Sequence, residues 1–141
     1  MLRRVFFLSF FASALTADPR EEVYDLFGSM ASALSEGDTG RFLAAFDPSM
    51  KGYEDLAANV RALIDQADVT STIEPVEDAG DAQQRTVKFD WLMQLANKDD
   101  RVSTMRRQKT ITSRLQKQKR KWRIVSLDPL DFFAPPRIVQ P

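Results

Sequence analysis

The segment from Thr86 to Leu95, TVKFDWLMQL, constrains the fold more than any other part of the chain. Apolar and polar side chains alternate along it, and only Leu92 breaks the alternation. A period of two, in a run rich in aromatic and β-branched residues, indicates a β-strand with one buried face. The side chains predicted to be buried, which need a large apolar partner, are Val87, Phe89, Trp91, Met93 and Leu95.

Amphipathic segments that precede this strand supply such a partner. Their apolar residues recur at helical spacing, and the sequence predicts three short helices over residues 18–35, 39–46 and 53–66. Asp18 and Pro19 are the residue types that begin a helix, and Asp38 is a second capping residue. Gly37 is typical of the left-handed residue that ends a helix.

The rest of the chain has the character of an antiparallel meander. Strands are predicted over residues 69–76, 83–95, 101–115 and 121–127, with short polar turns at 77–82, 96–100 and 116–120. In the third strand, Met105, Ile111 and Leu115 share one phase. After the last strand we expect Asp131-Phe132-Phe133 to dock on the domain, which would span residues 18–134, and residues 135–141 to form a flexible tail.

The first seventeen residues have the pattern of a signal peptide. Arg3 and Arg4 precede an apolar run over residues 5–15, which is too short to cross a bilayer as a helix. Small residues then offer cleavage after Ala14 or after Ala17. We therefore expect an exported protein, periplasmic or secreted, that meets a membrane only through this segment before cleavage. The alternatives are a buried N-terminal helix or an uncleaved anchor.

The composition excludes several classes of chemistry. The chain has no Cys and no His, so it has no disulfide, no thiol nucleophile, no Ser-His-Asp triad and no usual zinc or haem site. We expect neither a metal nor a cofactor. Lys and Arg number 20, Asp and Glu also number 20, and this balance of charge points to no particular partner.

Local motifs resemble those of the NTF2-like superfamily, also called cystatin-like or SnoaL-like. They are the Gly37-Asp38 pair after the first helix, the short segment from Phe42 to Pro48, and Lys121-Trp122-Arg123-Ile124-Val125 in the last strand. The resemblance covers residues 20–133 and implies an α+β cone, with three N-terminal helices packed on a curved antiparallel sheet of four or more strands. Members of this superfamily include isomerases, dehydratases, hydrolases, transport adaptors and binding domains, so the resemblance implies a fold and no single activity.

Two kinds of function remain open. The preferred interpretation is an exported, non-catalytic domain that binds a small apolar ligand or a protein partner, including a second copy through the exposed sheet face. The alternative is a lyase, isomerase or hydrolase of the SnoaL or ketosteroid isomerase kind, with a cavity carboxylate. Its candidates are Asp90, which strand parity turns away from the buried face, and Tyr53, whose phenol could donate to an oxyanion or simply pack.

Two further sets of residues have both a structural and a functional interpretation. The first is either plain core or the lining of an apolar pocket: Phe42, Phe46, Phe89, Trp91, Met93 and Trp122. The second is either a solvated surface or a basic face for anionic lipid, polysaccharide or an acidic partner: Arg106, Arg114, Lys117, Lys119, Arg120 and Lys121. Export, and the lack of aromatic residues interleaved with this basic run, argue against nucleic acid.

Overall fold

The computed structural model describes residues 18–100 and 102–136. The predicted signal peptide lies outside the described residues, and so do residues 137–141 of the predicted tail. Three helices come first, α1 (Pro19–Glu36), α2 (Thr39–Leu43) and α3 (Tyr53–Gln66). The strands follow as β1 (Ala67–Gly80), β2 (Gln84–Asn97), β3 (Thr104–Gln118) and β4 (Lys121–Asp128), and a 3₁₀ helix spans Leu130–Phe133. The predicted order of helices and strands is confirmed.

The helix ends form where the capping residues predict them. The Asp18 side chain accepts a hydrogen bond from the Arg20 N–H, and Pro19 occupies the first helical position. Gly37 has a φ of 73° and ends α1, and the Asp38 side chain then caps α2. The prediction that the second helix reaches Phe46 is wrong. Its last residues leave the helix to run alongside β4, where Phe46 forms an isolated parallel bridge with Ile124.

The sheet is an antiparallel meander in the order β1-β2-β3-β4. Strands β1, β2 and β4 are longer than predicted, and β3 is shifted towards the C-terminus, which corrects all three turns. Strand β2 continues to Asn97 and β3 begins only at Thr104, so the predicted 96–100 turn is displaced. A bulge between Pro75 and Glu77 lets β1 continue to Gly80 through much of the predicted 77–82 turn. Pairing of β3 with β4 persists to Gln118, so the last turn contains only Lys119 and Arg120.

The core lies between the inner face of this sheet and the helices. The five predicted inward residues of β2 are at most 2% exposed. Helix α1 meets them through Phe27, whose ring centroid lies 4.5 Å from that of Phe89 and 6.3 Å from that of Trp91. The predicted common phase of Met105, Ile111 and Leu115 is confirmed, because all three pair with inward residues of β2. Ile111 and Leu115 are buried, whereas Met105 is 42% exposed because it lines a surface cleft with Leu95.

The docking of the C-terminal segment is also confirmed, since Phe132 and Phe133 are buried. Within residues 18–100 and 102–136, no helix has the length and apolar character needed to cross a membrane.

Candidate functional site

The six residues of the predicted apolar pocket are all buried, and none is more than 6% exposed. The fold brings most of them into one group of rings at the centre of the cone. The Phe42 centroid lies 5.5 Å from that of Phe46 and 5.1 Å from that of Phe133, and the Trp91 centroid also lies 5.1 Å from Phe133. The side chains that fill the interior therefore include two from the C-terminal segment, which the sequence did not assign to this site.

One polar atom in this group lacks a partner. Trp91 is fully buried, and its indole Nε1–H makes no hydrogen bond with any described residue. An unsatisfied buried donor costs about 1–3 kcal/mol relative to a satisfied one. The aromatic rings of the interior thus make apolar contacts with one another, and the Trp91 N–H is a donor that a hydrogen-bond acceptor would satisfy.

The C-terminal segment that closes this interior is held by hydrogen bonds from a side chain of β3 as well as by packing. Arg107 on β3 donates from Nη1 to the carbonyl oxygens of Phe132, at 2.8 Å, and of Ala134, at 2.6 Å. Burial lowers the pKa of Arg107, and nearby Asp131 opposes that shift. The side chain of Leu130 rests against the backbone of Gly52, where a Cβ would come within 2.6 Å of it.

The two candidate catalytic residues lie outside this interior. Asp90 is on the outer face of β2, between Glu74 on β1 and Thr110 on β3, and it accepts a 2.7 Å hydrogen bond from the Thr110 hydroxyl. Tyr53 begins α3 and packs, half-buried, against the edge of the core. The structure does not bring the two together, and neither lines any of the four clefts described next.

The clefts on the described surface include four with volumes of about 520, 470, 280 and 140 Å³. Among the six predicted pocket residues, only Trp122 lines one of them. That cleft, the largest of the four, lies between α1 and the β3–β4 hairpin, and we call it the hairpin cleft. Its charged lining residues are Glu22, Asp25, Arg41, Arg120, Lys121 and Arg123.

The predicted basic face is divided by the fold. Arg106 and Arg114 both point outward from β3, but eight residues of strand separate them by about 26 Å. The prediction that Lys117 lies in a turn is wrong. It lies in β3, where its side chain points inward. Lys119 and Arg120 form the tip of the β3–β4 hairpin, and Lys121 is the first residue of β4 beside it. These six residues therefore do not form one continuous surface.

Lys117 takes part in a group of polar contacts that joins the hairpin to α1. Its Nζ lies 3.0 Å from Glu22 Oε1 and 5.6 Å from the ring centroid of Trp122. The Trp122 indole donates to the same Glu22 oxygen at 2.9 Å. Hydrogen bonds from Lys117 and then from Trp122 hold the pKa of Glu22 below its ordinary value. One oxygen of the carboxylate at the edge of the hairpin cleft is thus already engaged by two donors of this chain.

Sequence reasoning missed a buried ion pair at the inner edge of the sheet. Arg85 Nη2 lies 2.7 Å from Asp78 Oδ1, and the two side chains are only 8% and 7% exposed. Arg85 Nε donates to the same oxygen, and Nη1 donates to the Asp81 carbonyl. The signal was available, since Arg85 falls in the inward phase of β2 with Val87 and Phe89.

No group of His, Cys, Asp and Glu able to hold a metal ion occurs in the part of the chain that the structure describes.

Comparison with known proteins identifies the fold. No protein-family model matches the sequence, and no curated protein matches it significantly. Among solved structures, a conserved protein from Planctomyces limnophilus DSM 3776 superposes with a TM-score of 0.71 at 7% identity, covering 77% of this chain and 91% of that one. An NTF2-like superfamily protein from Salmonella enterica serovar Typhimurium LT2 gives a TM-score of 0.67 at 15% identity, covering 77% and 87%.

The described residues form an α+β domain with the NTF2-like fold, as the sequence resemblance predicted. Structures that share this fold include an enzyme, the hexachlorocyclohexane dehydrochlorinase LinA-type3 from Novosphingobium barchaimii LL02, with a TM-score of 0.60 at 15% identity over 77% of this chain and 82% of that one. They also include an NTF2-like protein of unknown function from Shewanella oneidensis MR-1. Similarities at these identities carry the fold and no activity.

Proposed function

We propose that this protein is an exported, non-catalytic binding domain whose interior takes a small apolar ligand with one hydrogen-bond acceptor. The observation that carries the proposal is the buried Nε1–H of Trp91, which has no partner among the described residues and lies within a group of aromatic rings. Export rests on the signal-peptide pattern of residues 1–17. The positions of Asp90 and Tyr53, outside the interior and outside the clefts, favour binding over the isomerase-like or hydrolase-like alternative.

The ligand enters by displacing the C-terminal segment. Phe132 and Phe133 occupy the space beside Trp91, and they belong to a 3₁₀ helix of four residues rather than to the sheet. Exposing one of these two buried Phe side chains costs about 1.5–3 kcal/mol, and a ligand with a single ring needs to replace only one of them. An aromatic ligand of similar size restores that burial and adds a hydrogen bond from Trp91. A ketone, ester or ether oxygen on a ring-sized apolar body meets these requirements.

The test uses two probes of nearly the same shape. Acetophenone carries a carbonyl acceptor and ethylbenzene does not. We expect acetophenone to shift the Trp91 indole N–H resonance in ¹H–¹⁵N spectra and to bind about three- to tenfold more tightly than ethylbenzene, because a net hydrogen bond contributes about 0.5–1.5 kcal/mol. Phe133→Ala vacates space and should tighten binding of both probes. Trp91→Phe should abolish the preference for acetophenone.

The matched control is Val76→Ala, which shortens an exposed side chain outside this interior and should leave the affinity for both probes unchanged. The proposal fails if neither probe perturbs the Trp91 resonance in the wild-type protein or in Phe133→Ala. It also fails if Trp91→Phe retains the preference for the carbonyl.

A second copy of the chain is the partner that the outer sheet face fits. Acidic Glu74 and Glu77 lie on β1, basic Arg106 and Arg114 point outward from β3, and β2 lies between them. A two-fold axis that lies in the interface and runs parallel to β2 would place the acidic strand of each copy over the basic strand of its partner. This distribution of charge supports the homodimer that the sequence suggested.

Sedimentation velocity tests the homodimer. Arg106→Glu with Arg114→Glu should yield monomers, Glu74→Lys with Glu77→Lys should do the same, and a mixture of the two variants should recover the dimer. A monomeric wild-type protein, or a mixture that stays monomeric, would contradict pairing through this face.

A further inference from the structure

The hairpin cleft carries a positive charge that the fold does not neutralise. Four cationic side chains line it against two acidic ones. Arg41 is paired with Glu36 outside the cleft, and Arg123 donates to the Ala44 carbonyl but has no ion pair with a described residue. Glu22 already accepts hydrogen bonds from Lys117 and Trp122. Arg120 and Lys121 make no ion pair or side-chain hydrogen bond with any described residue. The rim of the cleft beside the hairpin tip is therefore cationic and available to an external anion.

The residues at the hairpin tip have an unfavourable backbone conformation. Lys119 and Arg120 have φ angles of 51° and 73°, as in the two-residue type I′ turns that connect antiparallel strands. Asn and Gly are the residues that such turns favour, because side chains with a Cβ are strained at positive φ. This turn instead contains Lys119 and Arg120, whose long cationic side chains do not stabilise the turn. A sequence that departs from local preference in this way is typical of a functional site.

The floor of the same cleft is apolar. Leu26 and Met30 on α1 and the ring of Trp122 on β4 line it beneath the cationic rim. A ligand that fills about 520 Å³ here meets apolar contacts below and positive charge above. We propose that the hairpin cleft binds an acidic protein segment, one that inserts an apolar side chain and sets its carboxylates against Arg120, Lys121 and Arg123.

The concave shape favours a peptide segment over other anions. A flat bilayer surface would meet the hairpin tip and leave the floor formed by Leu26 and Met30 uncovered. A sulfated polysaccharide would satisfy the cations, but it has no apolar side chain for the floor. A peptide with alternating acidic and apolar residues satisfies both parts of the cleft. This site is separate from the aromatic interior, so either proposal can fail without the other.

The probe is the acetylated, amidated peptide DELED, compared with its uncharged counterpart NQLQN. The chain has two Trp, so Trp91→Phe leaves Trp122, which lines the cleft, as the fluorescent reporter. We expect DELED to change Trp122 emission and NQLQN to bind at least about tenfold more weakly, with the affinity for DELED falling as salt rises. Arg120→Glu with Lys121→Glu should remove most of the DELED binding.

The matched control reverses two exposed charges that do not line the cleft, Lys51→Glu with Arg61→Glu. It changes the net charge equally and should change the affinity for DELED by less than about twofold. A third variant, Lys119→Asn with Arg120→Gly, should raise the urea midpoint of unfolding while weakening DELED binding. That opposite response separates a functional hairpin tip from a merely structural one.

Three results would overturn the proposal. One is an equal loss of affinity in the control and in the cleft variant. Another is binding of NQLQN as tight as that of DELED. The last is tighter binding of heparin oligosaccharides, or of vesicles of phosphatidylglycerol and phosphatidylcholine in equal parts, with the same dependence on Arg120 and Lys121. That last result would assign the cleft to polysaccharide or lipid.

Discussion

The buried ion pair between Asp78 and Arg85 gives an asymmetric prediction for stability. Removing one partner of a buried pair leaves an uncompensated charge, which costs about 3–5 kcal/mol. The two partners differ in the hydrogen bonds that each retains when the other is removed. Arg85→Met deprives Asp78 Oδ1 of both its side-chain donors, and Oδ2 already has none among the described residues. We therefore expect Arg85→Met to cost about 3–5 kcal/mol.

Asp78→Leu should cost less. Arg85 keeps its hydrogen bond to the Asp81 carbonyl, and it lines the cleft of about 280 Å³, through which water can solvate the guanidinium. We expect a loss of about 2 kcal/mol. The double variant replaces both charges with apolar side chains and should lie within about 1 kcal/mol of the wild-type protein. A double-mutant cycle, which compares the two single variants with the double variant, should therefore show strong coupling between the two positions.

Urea unfolding followed by Trp fluorescence measures these differences. With a slope of about 1–3 kcal/mol per molar urea, Arg85→Met should lower the midpoint by about 2 M. The control is the exposed pair of Lys88 and Glu77, 3.9 Å apart, where the side chains are 41% and 66% exposed. Lys88→Met should change stability by less than about 0.5 kcal/mol. The reasoning is refuted if both single variants cost under about 1 kcal/mol or if their losses simply add in the double variant.

Two further predictions concern other parts of the fold. The pKa of Asp47 is about 2, chiefly because Gln118 donates to its carboxylate, so its stabilising contribution is present above about pH 4 and is lost as the pH falls towards 2. Gln118→Leu should raise that pKa towards its ordinary value in a ¹³C carboxyl titration, and an unchanged pKa would contradict this. Gly52→Ala should destabilise by about 1–2 kcal/mol, because φ is 85° and the new Cβ would meet Leu130. Gly28→Ala, in an open position on α1, should instead stabilise by about 1 kcal/mol, and equal effects in thermal unfolding would rule out this account.

Much of the architecture follows from local patterns. The alternation from Thr86 to Leu95 predicted which face of β2 is buried, because successive side chains of a strand point to opposite faces. Asp18, Pro19 and Gly37 predicted the ends of α1 for equally local reasons of capping and backbone conformation. Strand ends were less predictable. Cross-strand hydrogen bonds extend β1 and β3 into segments whose composition is typical of turns.

The sequence by itself determined that this chain has a buried aromatic strand, helices to cover it and no His or Cys chemistry. Only the tertiary structure decided that Phe132 and Phe133, some forty residues beyond Trp91, fill the space beside its indole and leave the Nε1–H without a partner in the described part of the chain. It also decided that the basic run divides, with Lys117 turned inward to Glu22 and Arg120 left at the rim of a cleft. The physical reason is the same in each case. Periodicity reports which face of an element is buried, whereas contacts between residues distant in sequence depend on the register and closure of the whole sheet.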